Sequence, residues 1–299
     1  MENYVFRRDL VKSRDLLQLS EKSDSVGLTR LAVHLLLVGG SGLWVWSAQS
    51  SWWILPAWFA YGTIVVFLFA PLHECIHRTA FRSRGWNNIV AAVAGFILIL
   101  PANYFRHFHF EHHRHTNDPA RDPELLTEKP RTFPGYMWTM TGLTSYWLPQ
   151  IRLLLHHASG NVNSKFIPKS AHRAIQREAR IHLALYVAIG AVSIYLQSAL
   201  IATFWVVPIL IGMVSLRLFL LAEHGDCELS PNMLVNTRTT LTNPLLRLIT
   251  WNMSFHCEHH LYPSVPFHRL PILHDKVRKH LGTVSSGYLE FHREYLRSM

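Results

Sequence analysis

Residues 51–77 read SWWILPAWFAYGTIVVFLFAPLHECIH. The part from Ser51 to Leu72 carries no charge and is almost wholly apolar. At about 1.5 Å of rise per residue it is long enough to cross the roughly 30 Å hydrocarbon core of a bilayer. It runs directly into His73-Glu74-Cys75-Ile76-His77. Spacing i, i+4 puts both imidazoles on one helical face, a turn apart, where they can bind one metal or two adjacent ones. A spanning helix that ends in a pair of metal-competent side chains decides the kind of fold, and the rest of the chain repeats the theme.

Three further apolar stretches approach spanning length: about Leu28 to Trp46, about Ile181 to Leu196 and about Ile201 to Ala222. The first is joined to the Ser51–Leu72 stretch by a short link at Ala48–Ser50, and the last two by almost no loop, so each pair is expected to form a hairpin. A fifth stretch, Ile89 to Leu100, is too short to span before Pro101 and is expected to be a buried or interfacial helix. Of the 29 Lys and Arg, six lie in residues 1–30, fourteen from Arg78 to Arg180 and eight after Glu223. Arg217 alone sits inside an apolar stretch, and neither short link carries a basic residue. By the positive-inside rule both termini and the middle segment are expected to be cytoplasmic, in the inner membrane if the cell is bacterial. The expected fold is all-α and multi-pass: four transmembrane helices in two hairpins under a cytoplasmic helical cap that holds a di-metal site. In one such domain, residues 1–27 are a cytosolic lead-in, 28–72 the first hairpin, 73–180 a cytoplasmic segment, 181–222 the second hairpin and 223–299 a further cytoplasmic segment.

Composition agrees. With 49% hydrophobic, 12% aromatic and 16% charged residues, the chain has little polar surface to spare. Trp44, Trp46, Trp52 and Trp53 form an aromatic belt at the first link, which a soluble four-helix core would not need. The formal charge of +10 follows from topology rather than from nucleic-acid binding, because the basic residues avoid one side of every expected span. Cys75, Cys227 and Cys257 are odd in number and without a disulfide spacing. The N-terminal segment is mixed in charge, with no apolar core of a cleaved signal.

Two more histidine clusters follow, His109-Phe-Glu-His112-His113 and His256-Cys-Glu-His259-His260. In each, the i and i+3 rings are read as sharing a face, with the i+4 ring slightly around it. Three clusters expected at one membrane face point to metal, since so many imidazoles are not buried cheaply without partners. Zn, Cu, Ni and Fe all suit nitrogen ligands. Eight His exceed the need of a single zinc, and two irons with open positions account for the count. His224, in Leu-Ala-Glu-His-Gly where the last span ends, is either a ninth ligand or an interfacial capping histidine. Glu74, Glu111 and Glu258 neighbour the clusters and either orient ligands or are solvated. Cys75 and Cys257 are read as small packing residues, and Asp118, Asp122 and Glu124 as turn-formers that could also order ligands. His34 is read as a satisfied polar contact within the first span, and Arg217 as snorkelling toward the interface, with an anionic substrate group as the other possibility.

HECIH, HFEHH and HCEHH, in this order and between these spans, resemble the membrane fatty acid desaturase and hydroxylase superfamily. The resemblance covers about Leu72 to Leu270 and is strong at Asn117-Asp-Pro-Ala-Arg-Asp-Pro-Glu124, Asn236-Thr-Arg-Thr, Asn243-Pro and Trp251-Asn-Met-Ser-Phe-His-Cys-Glu-His-His-Leu-Tyr-Pro-Ser-Val-Pro-Phe267. It implies a dinuclear non-haem iron centre bound by His73, His77, His109, His112, His113, His256, His259 and His260, with His224 as an additional ligand and O2 as co-substrate. An Asn that holds an iron-bound water in some members is replaced here by Leu220, so that role is not carried over. No fused cytochrome b5 motif is visible, which implies a separate electron donor of ferredoxin or cytochrome b5 type. The expected activity is desaturation of a fatty-acyl chain of a membrane lipid. A second reading keeps the two irons but oxidises a small polar or isoprenoid substrate, because HECIHRTAF and DPARDPEL also resemble bacterial rhizopine-oxygenase-like relatives. A third, a non-catalytic metal-binding protein or transporter, is disfavoured because the histidines crowd one face rather than line a path across the bilayer.

Overall fold

The computed structural model describes residues 10–299, so the first nine residues of the expected lead-in lie outside the described residues. The chain is mostly helical. After α1 (Ser13–Leu19) come α2 (Asp24–Ala48), α3 (Ile54–Val66), α4 (Phe69–His77), α5 (Arg84–Ile97) and α6 (Ala102–His115). The middle holds α7 (Phe133–Met140), α8 (Leu148–Ala158), α9 (Lys169–Tyr195) and α10 (Val207–His224). Five short helices close the chain: α11 (Met233–Asn236), α12 (Pro244–Ile249), α13 (His256–Leu261), α14 (Leu270–Val277) and α15 (Tyr288–Arg297). A two-stranded parallel pairing of Thr239–Thr240 with Val284–Ser285 ties the segment before α13 to the C-terminal segment.

Four helical stretches are long and apolar enough to cross a membrane: Asp24–Ala48, Ile54–His77, Lys169–Tyr195 and Ala202–His224. They coincide with the four apolar stretches of the sequence to within three residues at one end and run past them at the other. The Lys169–Tyr195 helix begins well before Ile181, because Lys169–Arg180 is polar yet rich in Ala, Arg, Gln and Glu, all good helix formers. The fifth stretch forms the separate helix α5; the chain then turns by 98° into α6. That turn aims the second histidine cluster back toward the first.

Prolines set the local irregularities of these helices. Pro71 has no N–H for the carbonyl of Phe67, and the Ala70 amide takes that oxygen instead at 3.0 Å, which marks the break between α3 and α4. A π turn at Ala202–Val206 ends just before Pro208, and another at Leu143–Trp147 just before Pro149. The central packing is between α3 and α10. A Cβ added to Gly62 would lie 2.0 Å from the Pro208 carbonyl oxygen, so only glycine permits this approach of two backbones. The contact continues in a Thr63–Ser215 hydroxyl pair at 2.9 Å. Around it lie Val66, Leu72, Ile76, Met213, Leu216, Trp251 and Phe267, all buried in one cluster. This core holds the ends of α4 and α10, where His77 and His224 stand, in fixed relation.

His34 is a satisfied polar contact, as expected: Trp251 donates its indole N–H to His34 Nδ1 at 3.3 Å, and His34 Nε2 donates to the Ile64 carbonyl at 2.9 Å. Cys75 and Cys257 are buried packing residues, Cys257 donating to the Met233 carbonyl.

Candidate metal centre

All nine histidines singled out in the sequence converge. They divide into two groups: His73, His77, His109, His113 and His259 in one, and His112, His224, His256 and His260 in the other. Within each group the candidate ligand atoms all lie within 4.8 Å of one another. The division corrects the simple face argument. On α6, His109 and His113 (i, i+4) go to one group while His112 goes to the other. On α13 the pattern is mirrored, with His256 and His260 together and His259 across. One residue turns a helix by about 100°, so adjacent histidines such as His112 and His113 aim at different centres. Two short helices can therefore each serve both.

The spacing of the ring nitrogens fits metal ions. The Nε2 atoms of His109 and His113 are 2.8 Å apart, and those of His113 and His259 3.1 Å. In the other group His224 Nε2 stands 3.1 Å from both His112 Nε2 and His256 Nε2, and His256 Nε2 is 3.1 Å from His260 Nε2. Two nitrogens bound to one ion at about 2.1 Å lie about 3.0 Å apart at a right angle, and about 3.4 Å apart at the tetrahedral angle. The observed spacings are those of nitrogens close enough to share one ion. Both ring nitrogens of His73 and Nε2 of His77 are buried with no hydrogen-bond partner among the described residues, as ligand atoms would be.

The opposite ring edges are held from outside. Asp122 accepts from His112 Nδ1 at 3.0 Å and is itself fixed by the amides of Asn117 at 2.7 Å and Glu124 at 2.9 Å. His224 Nδ1 donates to the Asn236 carbonyl at 3.1 Å, which also accepts from Asn117 Nδ2 at 2.9 Å. His260 Nδ1 donates to Thr116 Oγ1 at 3.1 Å, whose own proton goes to the His112 carbonyl at 2.8 Å. Glu223 Oε1 lies 3.2 Å from His256 Nδ1. The Nδ1–H groups of His112, His224 and His260, engaged in this way, leave Nε2 as a lone-pair donor toward its group. Burial holds His259 at about 3 and His260 well below the ordinary histidine value, so both rings are neutral and ready to bind. Burial works against the Asp122 carboxylate, but His112 and the two amides keep it below its ordinary value.

Two cations fix the last turn of α10, and with it His224. Lys129 donates to the His224 carbonyl at 2.6 Å, and Arg238 to the carbonyls of Ala222 and Gly225 at 2.8 and 2.6 Å. The carboxylates beside the clusters act differently from both sequence expectations. Glu74 accepts from Thr79 Oγ1 at 2.7 Å and from the Phe267 amide at 3.2 Å, stitching the first cluster to the loop after the third. Glu258 accepts from His274 Nδ1 and Thr239 Oγ1, both at 2.5 Å. Glu111 pairs with Arg114. None of the three hydrogen-bonds a clustered histidine; Asp122 does.

A cavity of about 310 Å³ touches both groups, through His73 and His109 on one side and His224 and His256 on the other. Its wall carries Phe69, Tyr104, Phe105 and Leu220, together with Glu124, Lys129, Gln150 and Arg217. Arg217 does not snorkel: its Nε is buried, and the side chain faces the cavity.

The family model described as "Fatty acid desaturase" matches residues 50–292, which include every one of these histidines. The chain belongs to the fatty acid desaturase family. It is thus an integral membrane protein and an oxidoreductase of the desaturase and hydroxylase type. The chain is 24% identical over 265 residues to the sn-1 oleoyl-lipid 12-desaturase of Picosynechococcus, covering 81% of this chain and 74% of that one. The enzyme of the same name from Anabaena variabilis is 26% identical, over 85% of this chain and 64% of its own. The rat sphingolipid delta(4)-desaturase/C4-monooxygenase DES2 is 26% identical, over 80% and 70%. Relatives of the chain thus include one whose name covers both desaturation and oxygenation.

Proposed function

We propose that the protein is an O2-dependent di-iron oxidoreductase that desaturates a fatty-acyl chain of a lipid. The observation that carries this reading is the single cavity bordered by both histidine groups, so that one C–H bond placed there faces two metal positions at once. Two irons, one held by His73, His77, His109, His113 and His259 and the other by His112, His224, His256 and His260, would supply the oxidation with O2 that removes hydrogen from the chain. Asp122, Thr116 and the Asn236 carbonyl fix the rings of His112, His260 and His224 so that Nε2 points inward. Phe69, Phe105 and Leu220 present an apolar, water-excluding wall one helical turn from the histidines of their own helices.

The distribution of Lys and Arg supports a cytoplasmic side for both termini and the metal site, in the inner membrane if the cell is bacterial. Electrons then come from a separate ferredoxin or cytochrome b5 type donor, and nucleic acid is not a partner. Expression in a host of defined lipids tests the whole: about two irons per chain and a new acyl double bond are expected, both lost in His112→Ala. Full product formation by iron-free protein overturns the reading. Oxidation of a small polar substrate is the second reading, favoured by one observation, the charged residues in the cavity wall. Unchanged acyl chains alongside iron-dependent O2 uptake would select it.

A further inference from the structure

Arg217 lies seven residues before His224 on α10. Seven residues turn a helix to within about 20° of two full turns and advance it by about 10.5 Å, so the two side chains share a face at that separation. Leu220, one turn before His224, sits between them on the same face. The other helices repeat the layering: Phe69 is one turn before His73 on α4, and Phe105 one turn before His109 on α6, their rings 5.5 Å apart. The cavity therefore runs from the histidines past an apolar collar of Phe69, Phe105 and Leu220 to Arg217.

Two polar atoms near Arg217 lack partners, while Tyr146 Oη donates to the Leu98 carbonyl at 2.9 Å and Glu124 lies 3.6 Å from His112 Nδ1. Arg217 Nε is buried without a hydrogen bond, and no carboxylate lies within ion-pair distance of it among the described residues. The charged or polar groups that face it are Glu124, on the loop after α6, and Tyr146, on the turn before α8. Gln150 lies one turn beyond Tyr146, also lines the cavity, and has its Oε1 buried and unpartnered. A guanidinium within a spanning helix is expensive and marks a substrate path when it faces a cavity. A planar fork of N–H donors facing such a cavity matches a carboxylate.

We propose that Arg217, assisted by Gln150, anchors a carboxylate of the substrate, so that the oxidised C–H bond lies about 10 Å from that group, across the collar. This rests on the oxidase reading of the metal centre for the fate of the bond, but not for the binding. This narrows the proposed fatty-acyl substrate to an aliphatic acid whose carboxylate is free, in place of a chain esterified to a headgroup. Arg217 sets specificity by charge, and the collar selects an unbranched chain.

Binding of octanoate, methyl octanoate and octane to the full chain in lipid nanodiscs tests this by calorimetry, with empty nanodiscs subtracted. Octanoate is expected to bind roughly 10- to 100-fold tighter than its ester. Arg217→Gln should abolish that preference, Arg217→Lys should keep part of it, and Gln150→Leu should reduce it severalfold. Equal binding of acid and ester by the unaltered protein overturns the proposal, whatever the variants do. An iron-loaded Arg217→Gln protein that still prefers the acid overturns it too. Oleate beside octanoate separates a lipid-derived acid from a compact one: oleate bound tighter assigns the former. An acid preference in protein that binds no iron sinks the oxidase reading while leaving the anchor in place.

Discussion

Replacing Asp122 by Asn removes an acceptor on which three N–H groups converge: His112 Nδ1, the Asn117 amide and the Glu124 amide. The carboxylate side chain is 1% exposed, so water does not replace what is lost. Asn keeps one oxygen and turns an NH2 toward donors, so at least one of the three is orphaned. A hydrogen bond to a charged group contributes about 1.5–3 kcal/mol. Loss of the bond that orients a metal-binding histidine typically weakens the metal by 10- to 100-fold, which is about 1.4–2.8 kcal/mol. The two figures agree, and both act on the His112 group alone. Asp122→Asn is therefore expected to lower iron occupancy from about two per chain toward one. Titration against a competing chelator, read as two binding steps, should show one step shifted 10- to 100-fold and the other unmoved. Two unshifted steps in a folded variant would refute the assigned role of Asp122.

His224→Ala should likewise empty one iron position, whereas His34→Ala should leave iron at two per chain and lower only thermal stability, because it strips the Trp251 indole of its acceptor. Metal analysis beside a melting curve distinguishes them. Gly62→Ala drives a Cβ to within 2.0 Å of the Pro208 carbonyl and should cost at least about 1–3 kcal/mol, while Gly39→Ala, with nothing within 4 Å, should be neutral in detergent melting experiments. Burial holds His157 at about 4, below its ordinary value, with His156 and His172 adding to the shift. The unfolded chain then binds the extra proton between about pH 4 and 6.5, so this contribution is complete above pH 6.5 and is lost as pH falls through that window. His157→Gln should flatten the fall in melting temperature between pH 7 and 5; an identical slope in the variant would contradict the assignment.

Much of this was legible in the chain because it is written locally. A run such as Ser51–Leu72 and a spacing such as His73–His77 need only helical geometry, and the family match extends over both. The partition of the nine histidines was not legible. His112 and His113 are neighbours in sequence, yet which centre each serves depends on the 98° turn between α5 and α6 and on the crossing of α13. His224 had no cluster to announce it, and the packing of α3 against α10 together with Lys129 and Arg238 fixes its position. Arg217 was misread as snorkelling because sequence shows the apolar span around it but not the cavity on its face. Asn236 and Thr116 orient histidines through a backbone carbonyl and a hydroxyl, groups that almost any loop offers, so nothing in their spacing set them apart.

One histidine group joins His77 to His259, residues separated by most of the chain. At synthesis rates of roughly 5–20 residues per second, about 10–40 s pass between the emergence of the two. Throughout that interval the first group lacks His259, and the second lacks His224, His256 and His260 for most of it. Under the proposed di-iron reading, metal loading is therefore a late step of biogenesis, completed only when the third cluster folds back over the first two. A nascent chain stalled before His256 would present imidazoles in incomplete sets, open to whichever divalent metal is most abundant. Fidelity of metal choice then falls to the rate at which the last forty residues are made and packed.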